Sequence, residues 1–183
     1  LDDEFQMRHR RNPIHHMQSR LKTIQSMLEK LKRKNYEVSI NSAVKNLQDI
    51  AGIRVICSYV QDVYTIANLL VSQDDVHLVR MADYIREPKP NGYRSLHLIV
   101  EIPVFLSEGR ILVPVEVQIR TIAMDFWASL EHSLRYKAQE YIPQHISDEL
   151  QRVATDIASL DQRMQAIHDQ VDELSDARSD NAT

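Results

Sequence analysis

The spacing of apolar residues divides the chain into alternating strands and helices. Apolar runs and period-two stretches predict strands at residues 13–21, 50–59, 76–84, 95–103 and 112–120. Apolar residues at helical spacing predict helices at residues 23–34, 62–72 and 123–137. A short turn at 107–109 joins the last two strands. This alternation predicts an α/β or α+β fold with a mixed sheet of about five strands flanked by helices.

The C-terminal part of the chain has a different pattern. Apolar residues alternate there in steps of four and three, namely Ile146, Leu150, Val153, Ile157, Leu160, Met164, Ile167, Val171 and Leu174. Such a heptad repeat predicts one long helix whose narrow apolar stripe needs a partner. Its own domain or another subunit could supply that partner, and we favour the subunit. We therefore divide the chain into a catalytic domain at 1–140 and a helical oligomerisation element at 141–183.

Composition indicates an ordinary globular protein. Hydrophobic residues make up 43% and charged residues 26% of the 183 residues. No apolar run approaches the roughly 20 residues that span a bilayer, and no charged-then-apolar signal segment opens the chain. The single cysteine, Cys57, cannot form an internal disulfide, which suits a reducing compartment. We expect a cytoplasmic protein that does not enter the membrane.

Charge and glycine content limit how the protein can handle phosphate. Net charge is −4, but residues 1–54 hold eleven Lys and Arg against six Asp and Glu, while residues 139–183 hold three against ten. Anion binding is therefore expected in the first part of the chain. The three glycines exclude a Walker loop and a G-x-G-x-x-G turn. Phosphate groups must then meet arginine and lysine side chains and a metal.

The segment 84–97 carries the most informative candidate chemistry. Two prolines and a glycine hold it out of regular structure, and Lys89, Asn91 and Tyr93 occupy alternate positions. A charge, an amide edge and an aromatic face suit a phosphate, a base edge and a base plane. His97 begins the following strand, where a phosphate contact and a structural role are equally plausible. The segment predicts a nucleotide-binding loop.

Two carboxylates form a candidate metal site. Asp49 precedes the strand 50–59, and period two places Glu116 and Gln118 on the same face of a later strand. A solvated glutamate is the commoner role for such a position, but two acids on neighbouring strands suit Mg²⁺ bound to nucleotide phosphates. Arg54 interrupts an apolar strand, so it needs an anion or an aromatic partner. The full basic set is Arg20, Lys22, Lys30, Arg33, Arg54, Arg80, Lys89 and Arg120.

Four stretches of the chain together resemble the synthetase domain of the RelA/SpoT family. They are Ser-Arg-Leu-Lys at 19–22, Asp-Ile-Ala-Gly-Ile-Arg at 49–54, Asp-Tyr-Ile-Arg-Glu-Pro-Lys-Pro-Asn-Gly-Tyr-Arg-Ser-Leu-His at 83–97, and Val-Glu-Val-Gln-Ile-Arg-Thr at 115–121. The resemblance covers roughly residues 13–140, and nothing resembles the hydrolase domain or regulatory half of the long family members. The chain is similar to the single-domain small alarmone synthetases.

The resemblance implies a nucleotidyltransferase-like synthetase fold and a GTP/GDP pyrophosphokinase of the stringent response. Such an enzyme transfers pyrophosphate from ATP to the 3′-hydroxyl of GDP or GTP, giving ppGpp or pppGpp and AMP. By the same resemblance, Asp49 and Glu116 would hold Mg²⁺, and Glu116 would be the base. Implied ATP-binding residues are Arg20, Lys22, Lys30 and Arg54. Implied GDP- and GTP-binding residues are Lys89, Asn91, Tyr93, His97 and Gln118, while Ala82 departs from a basic residue common in relatives.

Two other functions stay open at this stage. A toxin-like relative would keep the ATP chemistry and modify adenine nucleotides or the 3′ end of tRNA. A non-catalytic module would bind nucleotide or RNA and assemble through the heptad helix, although such a module has no need of both Asp49 and Glu116. The resemblance also implies a homotetramer.

Overall fold

The computed structural model describes residues 11–138 and 142–180. The strands are β1 (Ile14–Leu21), β2 (Ala51–Cys57), β3 (His77–Asp83), β4 (Leu96–Leu106) and β5 (Gly109–Thr121). The helices are α1 (Ile24–Arg33), α2 (Ile40–Asn46), α3 (Val60–Val71), α4 (Ile122–Lys137) and α5 (Gln144–Asp180). Every predicted strand and helix forms, with ends shifted by a few residues.

The short helix α2 was absent from the sequence prediction. Its N-cap is Ser39, whose side chain accepts a hydrogen bond from the Ser42 amide at 3.1 Å. Ala43 packs with Leu31 of α1 and Leu47 in a small separate core. The helix is only seven residues long, so its stability depends on this packing, which local sequence does not reveal.

The five strands form one mixed sheet in the order β1-β2-β5-β4-β3. β2 and β5 pair in parallel at its centre, and the other neighbours pair antiparallel. The predicted mixed α+β architecture is therefore confirmed.

The alternation along each strand gives the sheet one apolar and one polar face. On β5, Val115, Val117 and Ile119 are buried in the main core. Helix α3 covers that face and contributes Val63 and Ile66 to the core. The intervening side chains of β2, β4 and β5 point to the opposite face, which is mostly polar but also holds the buried Ile56 and Ile99.

Helix α5 packs on the rest of the protein through residues seven positions apart, namely Ala154, Asp161 and His168, all buried. Thr121 Oγ1, at the N-cap of α4, donates a 2.6 Å hydrogen bond to Asp161 Oδ2. Burial raises the pKa of Asp161, and the Thr121 bond opposes that shift. This buried pair joins α5 to the end of β5.

The predicted heptad stripe lies mostly on the other side of α5. Within the part of that helix whose side chains are described, Leu150 and Ile157 pack against Trp127. The remaining seven residues of the stripe are 38–62% exposed. The helix thus has an inner face for its own domain and a separate apolar outer face. The predicted domain boundary between residues 140 and 141 lies outside the described residues, and none of the described helices is long and apolar enough to cross a membrane.

The loop between β3 and β4 packs directly against α5. Gly92 in this loop has φ +87°, and a Cβ atom there would lie 2.5 Å from the Ala154 Cβ. Trp127 closes the same contact, and its Nε1 donates to the Leu150 carbonyl at 3.1 Å. Glycine is therefore required at this position both for its backbone conformation and for close approach of the helix.

Replacing Gly92 by alanine should destabilise the fold more than the same change at Gly109. Both glycines have positive φ, but a Cβ at Gly109 meets no atom within 4 Å. Backbone strain alone costs about 1–2 kcal/mol, and Gly92→Ala adds the collision with Ala154. Urea unfolding of the two variants measures the difference. Equal losses of unfolding free energy would contradict the contact between the loop and α5.

Candidate active site

Two rows of residues cross the polar face of the sheet, and all of them except His97 line a cavity of about 220 Å³. In the first row, Arg20 pairs with Gly52, and Gly52 pairs with Glu116. The second row consists of Gln18, Arg54, Gln118 and His97. Strand register therefore brings together residues that are up to a hundred positions apart in sequence.

Asp49 lies just before β2, between two lysines. Lys22 Nζ and Lys30 Nζ each donate to Asp49 Oδ2 at 2.6 Å. Burial raises the pKa of Asp49, but the hydrogen bonds from both lysines outweigh burial and leave the pKa below its usual value. Asp49 is therefore ionised at neutral pH.

One observation supports a divalent cation beside Asp49. The second carboxylate oxygen of Asp49, Oδ1, is buried without a hydrogen-bond partner. A hard oxygen of this kind is a suitable magnesium ligand. The described residues contain no group of three or more His, Cys, Asp or Glu arranged for a metal. A Mg²⁺ ion that takes the rest of its ligands from nucleotide phosphates and water needs no more than one or two carboxylates.

Glu116 is held by two neighbours on the polar face. Gln118 Nε2 donates to Glu116 Oε2 at 2.8 Å, and His97 Nδ1 lies 3.6 Å from Oε1. The close contact with His97 is the largest influence and lowers the pKa of Glu116; burial opposes it, and the Gln118 bond lowers the pKa further. The 3.6 Å separation exceeds an ordinary hydrogen bond, so we regard it as a polar contact. Glu116 is an ionised, oriented carboxylate.

The positive charge of the partly buried Arg54 is only weakly compensated by neighbouring groups. Its Nη1 lies 3.6 Å from Asp125 Oδ1, and its Nε is buried without a hydrogen-bond partner. Burial and repulsion from Arg120 lower the pKa of Arg54, although the group stays protonated. A guanidinium in this state would gain from a bound anion. Arg20 lines the same cavity and is exposed.

The loop between β3 and β4 uses Asn91 to fix its own shape. Asn91 Oδ1 accepts from the Tyr93 amide at 3.2 Å, and Nδ2 donates to Glu131 of α4 at 3.0 Å. Gly92 N also donates to the Lys89 carbonyl at 2.8 Å. In this structure the Asn91 amide is therefore engaged within the protein.

An aromatic cluster stands beside this loop. Tyr93 lies near Tyr84 and His97, with ring centroids 6.1 Å and 5.7 Å away. Lys89 Nζ lies over both tyrosine rings, at 4.5 Å from the centre of Tyr84 and 4.7 Å from that of Tyr93. The ammonium group of Lys89 is attracted to both aromatic faces. This arrangement combines a planar surface with a positive charge.

The structure thus brings the predicted residues to one face of the sheet in two groups. Arg20, Lys22, Lys30, Asp49 and Arg54 gather around the start of β2. Lys89, Asn91, Tyr93 and His97 gather around the loop, and Glu116 and Gln118 lie between the groups. Sequence reasoning missed Tyr84 and Asp125, and it named Arg120 only as a member of the basic set, without a specific role. The signal for Arg120 was its period-two spacing from Gln118 and Glu116; Asp125 had none.

Known proteins resemble this chain in both sequence and fold. The sequence profile described as a region found in RelA / SpoT proteins matches residues 19–141. GTP pyrophosphokinase YwaC of Bacillus subtilis is 45% identical over 172 residues, which are 94% of this chain and 82% of YwaC. GTP pyrophosphokinase YjbM of the same organism is 40% identical over 168 residues, which are 92% of this chain and 78% of YjbM.

A solved structure extends the similarity to the fold. Small alarmone synthetase 1 from Bacillus subtilis, bound to its product pppGpp, superposes with a TM-score of 0.86 at 37% identity, covering 93% of this chain and 87% of that one. With a family profile over most of the sequence and relatives matched over most of their length, the chain belongs to the RelA/SpoT family.

Proposed function

We propose that this protein is a GTP/GDP pyrophosphokinase that acts only as a synthetase. It transfers the β,γ-pyrophosphate of ATP to the 3′-hydroxyl of GDP or GTP and produces ppGpp or pppGpp and AMP. Two close relatives are GTP pyrophosphokinases, and a structural neighbour binds pppGpp as its product. The observation that carries the proposal is the position of Glu116, an ionised carboxylate between an arginine-lined cavity and an aromatic loop.

The arginine side of the cavity suits the ATP donor. Arg20 and Arg54 present positive charge to the same space, and the buried Nε of Arg54 has no partner within the protein. Lys22 and Lys30 add two further charges next to Asp49. Phosphate oxygens bound here would satisfy these donors and offset the repulsion among them.

The aromatic side suits the guanine acceptor. Tyr93 is the ring we assign to base stacking, and Lys89 and His97, which lie next to it, are the residues we assign to the acceptor's phosphates. Gln118 supports the site by orienting Glu116. Asn91 contributes to guanine binding through the shape of the loop, and its amide keeps a second N–H, besides the one donated to Glu131, for the base edge.

Transfer at this site is a phosphoryl-type displacement. The acceptor's 3′-oxygen forms a bond to the β-phosphorus of ATP as the bond from that phosphorus to the α,β-bridging oxygen breaks, and AMP leaves. Glu116 Oε1 accepts the hydroxyl proton, since Oε2 already accepts a hydrogen bond from Gln118. Mg²⁺ held by Asp49 and Glu116 would neutralise charge on the phosphates. The arginines orient the donor and stabilise the negative charge of the leaving AMP.

The outer face of α5 suits self-association. A row of seven apolar side chains is 38–62% exposed, and a soluble chain ordinarily covers such a stripe. A second copy offers the matching stripe, and we propose a homotetramer as the assembled form. A cytoplasmic location and a role in the stringent response remain predictions from the sequence.

The proposed activity can be tested by incubating the protein with labelled ATP, Mg²⁺ and either GDP or GTP. AMP and a guanosine 3′-pyrophosphate in equal yield are expected. Parallel reactions with adenine nucleotides and with tRNA test the toxin-like alternative. Label in those acceptors alone would replace the proposal, and no turnover with any acceptor would leave a binding module.

Glu116→Gln should reduce the rate at least ~100-fold while leaving the protein folded, because the amide neither accepts the proton nor binds Mg²⁺ well. Initial rates and thermal melts measure the two effects. Glu101→Gln is a matched control, since Glu101 lies on the neighbouring strand β4, away from the cavity lining. A Glu116→Gln enzyme with most of its rate would contradict the assigned role.

Charged substitutions on the outer face of α5 should lower the oligomeric state. Leu160→Glu combined with Ile167→Glu places two charges on the exposed stripe, where burial against another copy would be costly. Light scattering measures the mass. Thr155→Glu combined with Gln162→Glu is the control, since it adds the same two charges at exposed positions of the helix away from the stripe. An unchanged mass in the variant with both Leu160→Glu and Ile167→Glu would show that copies of this chain do not meet along the stripe.

A further inference from the structure

Arg120 is the most heavily bonded side chain of the polar face, although sequence analysis named it only as one member of the basic set. Its side chain is only 5% exposed. Its guanidinium donates to four groups: Ser95 Oγ at 3.3 Å, Asp125 Oδ1 at 3.1 Å, Tyr93 Oη at 2.6 Å and Gln118 Oε1 at 2.8 Å. A buried arginine with this many partners is fixed in both position and orientation.

Because arginine can only donate, Arg120 sets the direction of the hydrogen bonds around it. Gln118 must turn Oε1 to Arg120, which leaves Nε2 to donate to Glu116. The Tyr93 oxygen accepts from Arg120 and lies 2.7 Å from His97 Nε2, and its phenolic proton is available for that second contact. One guanidinium thereby orients both the residue that holds the proposed base and the ring proposed for guanine stacking.

The same guanidinium also reaches the donor side. Asp125 Oδ1 accepts from Arg120 Nη1 and lies 3.6 Å from Arg54 Nη1. Asp125 is thus shared between the two arginines, and Arg120 links the loop that carries Tyr93 to the helix that carries Asp125. Ser95 lies on the buried side of Arg120, where its Oγ also donates to the Ile119 carbonyl.

We propose that Arg120 is a positioning residue that aligns the acceptor-binding ring of Tyr93 with Glu116. This inference rests on the proposed function for its consequence in catalysis, while its geometric claim concerns the free protein. The planar fork matters more than the charge, because three of its partners lie in different directions. Lysine would keep a positive charge beside Asp125 but could not hold Tyr93 and Gln118 together.

Arg120→Lys therefore separates the two substrates. Affinity for a fluorescent GDP derivative should fall at least about tenfold, while affinity for a non-hydrolysable ATP analogue should stay within about twofold. Tyr93→Phe keeps the ring and removes the hydroxyl, so it should reproduce part of the GDP loss. The loss of GDP binding free energy in the double variant should be smaller than the sum of the two single losses, since both changes remove the same hydrogen bond between Arg120 and Tyr93.

Ser95→Ala is the control for general loosening of Arg120. It removes the partner behind the guanidinium and should lower the melting temperature while leaving affinity for both nucleotides within about twofold. A GDP loss in Ser95→Ala as large as that in Arg120→Lys would overturn the proposal. Unchanged GDP affinity in Arg120→Lys, or strictly additive effects with Tyr93→Phe, would do the same.

A spectroscopic readout separates this inference from the proposed function. In protein labelled at tyrosine ¹³Cζ, the Tyr93 resonance is identified by its absence in Tyr93→Phe. That resonance should shift in Arg120→Lys without any nucleotide present, because the phenol loses its donor. An unshifted resonance would overturn the positioning role even in an active enzyme. If the wild-type protein makes no alarmone, but its Tyr93 resonance still shifts on Arg120→Lys, only the proposed function is overturned.

Discussion

The parallel pairing of β2 with β5 at the centre of the sheet is the constraint on which the site depends. It sets Gly52 beside Glu116 and Arg54 beside Gln118, and the antiparallel neighbours extend these pairs into two rows. A slip of one residue in this register would turn the carboxylate into the apolar core and Val115 or Val117 towards the cavity. The burial of the apolar face therefore fixes the chemistry of the polar face, because the two faces alternate along the same strands.

Electrostatic strain is distributed unevenly over the polar face. Asp49 is strongly stabilised by two lysines, whereas the partly buried Arg54 has a buried Nε without a hydrogen-bond partner and only a weak contact to Asp125. A protein without ligand would lower its free energy by filling such a position with an apolar side chain. Retaining an arginine there makes sense when an anion completes its interactions. The cavity is thus organised for ligands that carry more negative charge than the protein itself supplies.

Local sequence predicted the strands and the long helices because each has a short-range pattern, whereas the ATP- and GDP-binding roles came from the resemblance to the RelA/SpoT family and stay predictions. Period two placed Glu116 and Gln118 on one face of a strand, and the prolines and glycine of segment 84–97 indicated a loop. Contacts between residues that are distant in sequence could not be predicted in this way. The bond from Asn91 to Glu131 spans forty positions, and nothing near Asn91 indicates it. The heptad pattern found the outer stripe of α5 but not its inner face, where alanine, aspartate and histidine are buried by contacts with distant elements.

The two faces of α5 have a consequence for how this segment can change in evolution. Ala154 must stay small because Gly92 lies against it, while the apolar stripe keeps its own phase around the same helix. Inserting one residue before Ala154 would rotate everything after it by about 100°. Both faces would be lost together, and the Thr121–Asp161 bond with them. Insertions and deletions are therefore tolerable only at the C-terminal end of α5, beyond the residues that pack on the rest of the protein. Elsewhere in this helix we expect substitutions, mainly at polar positions.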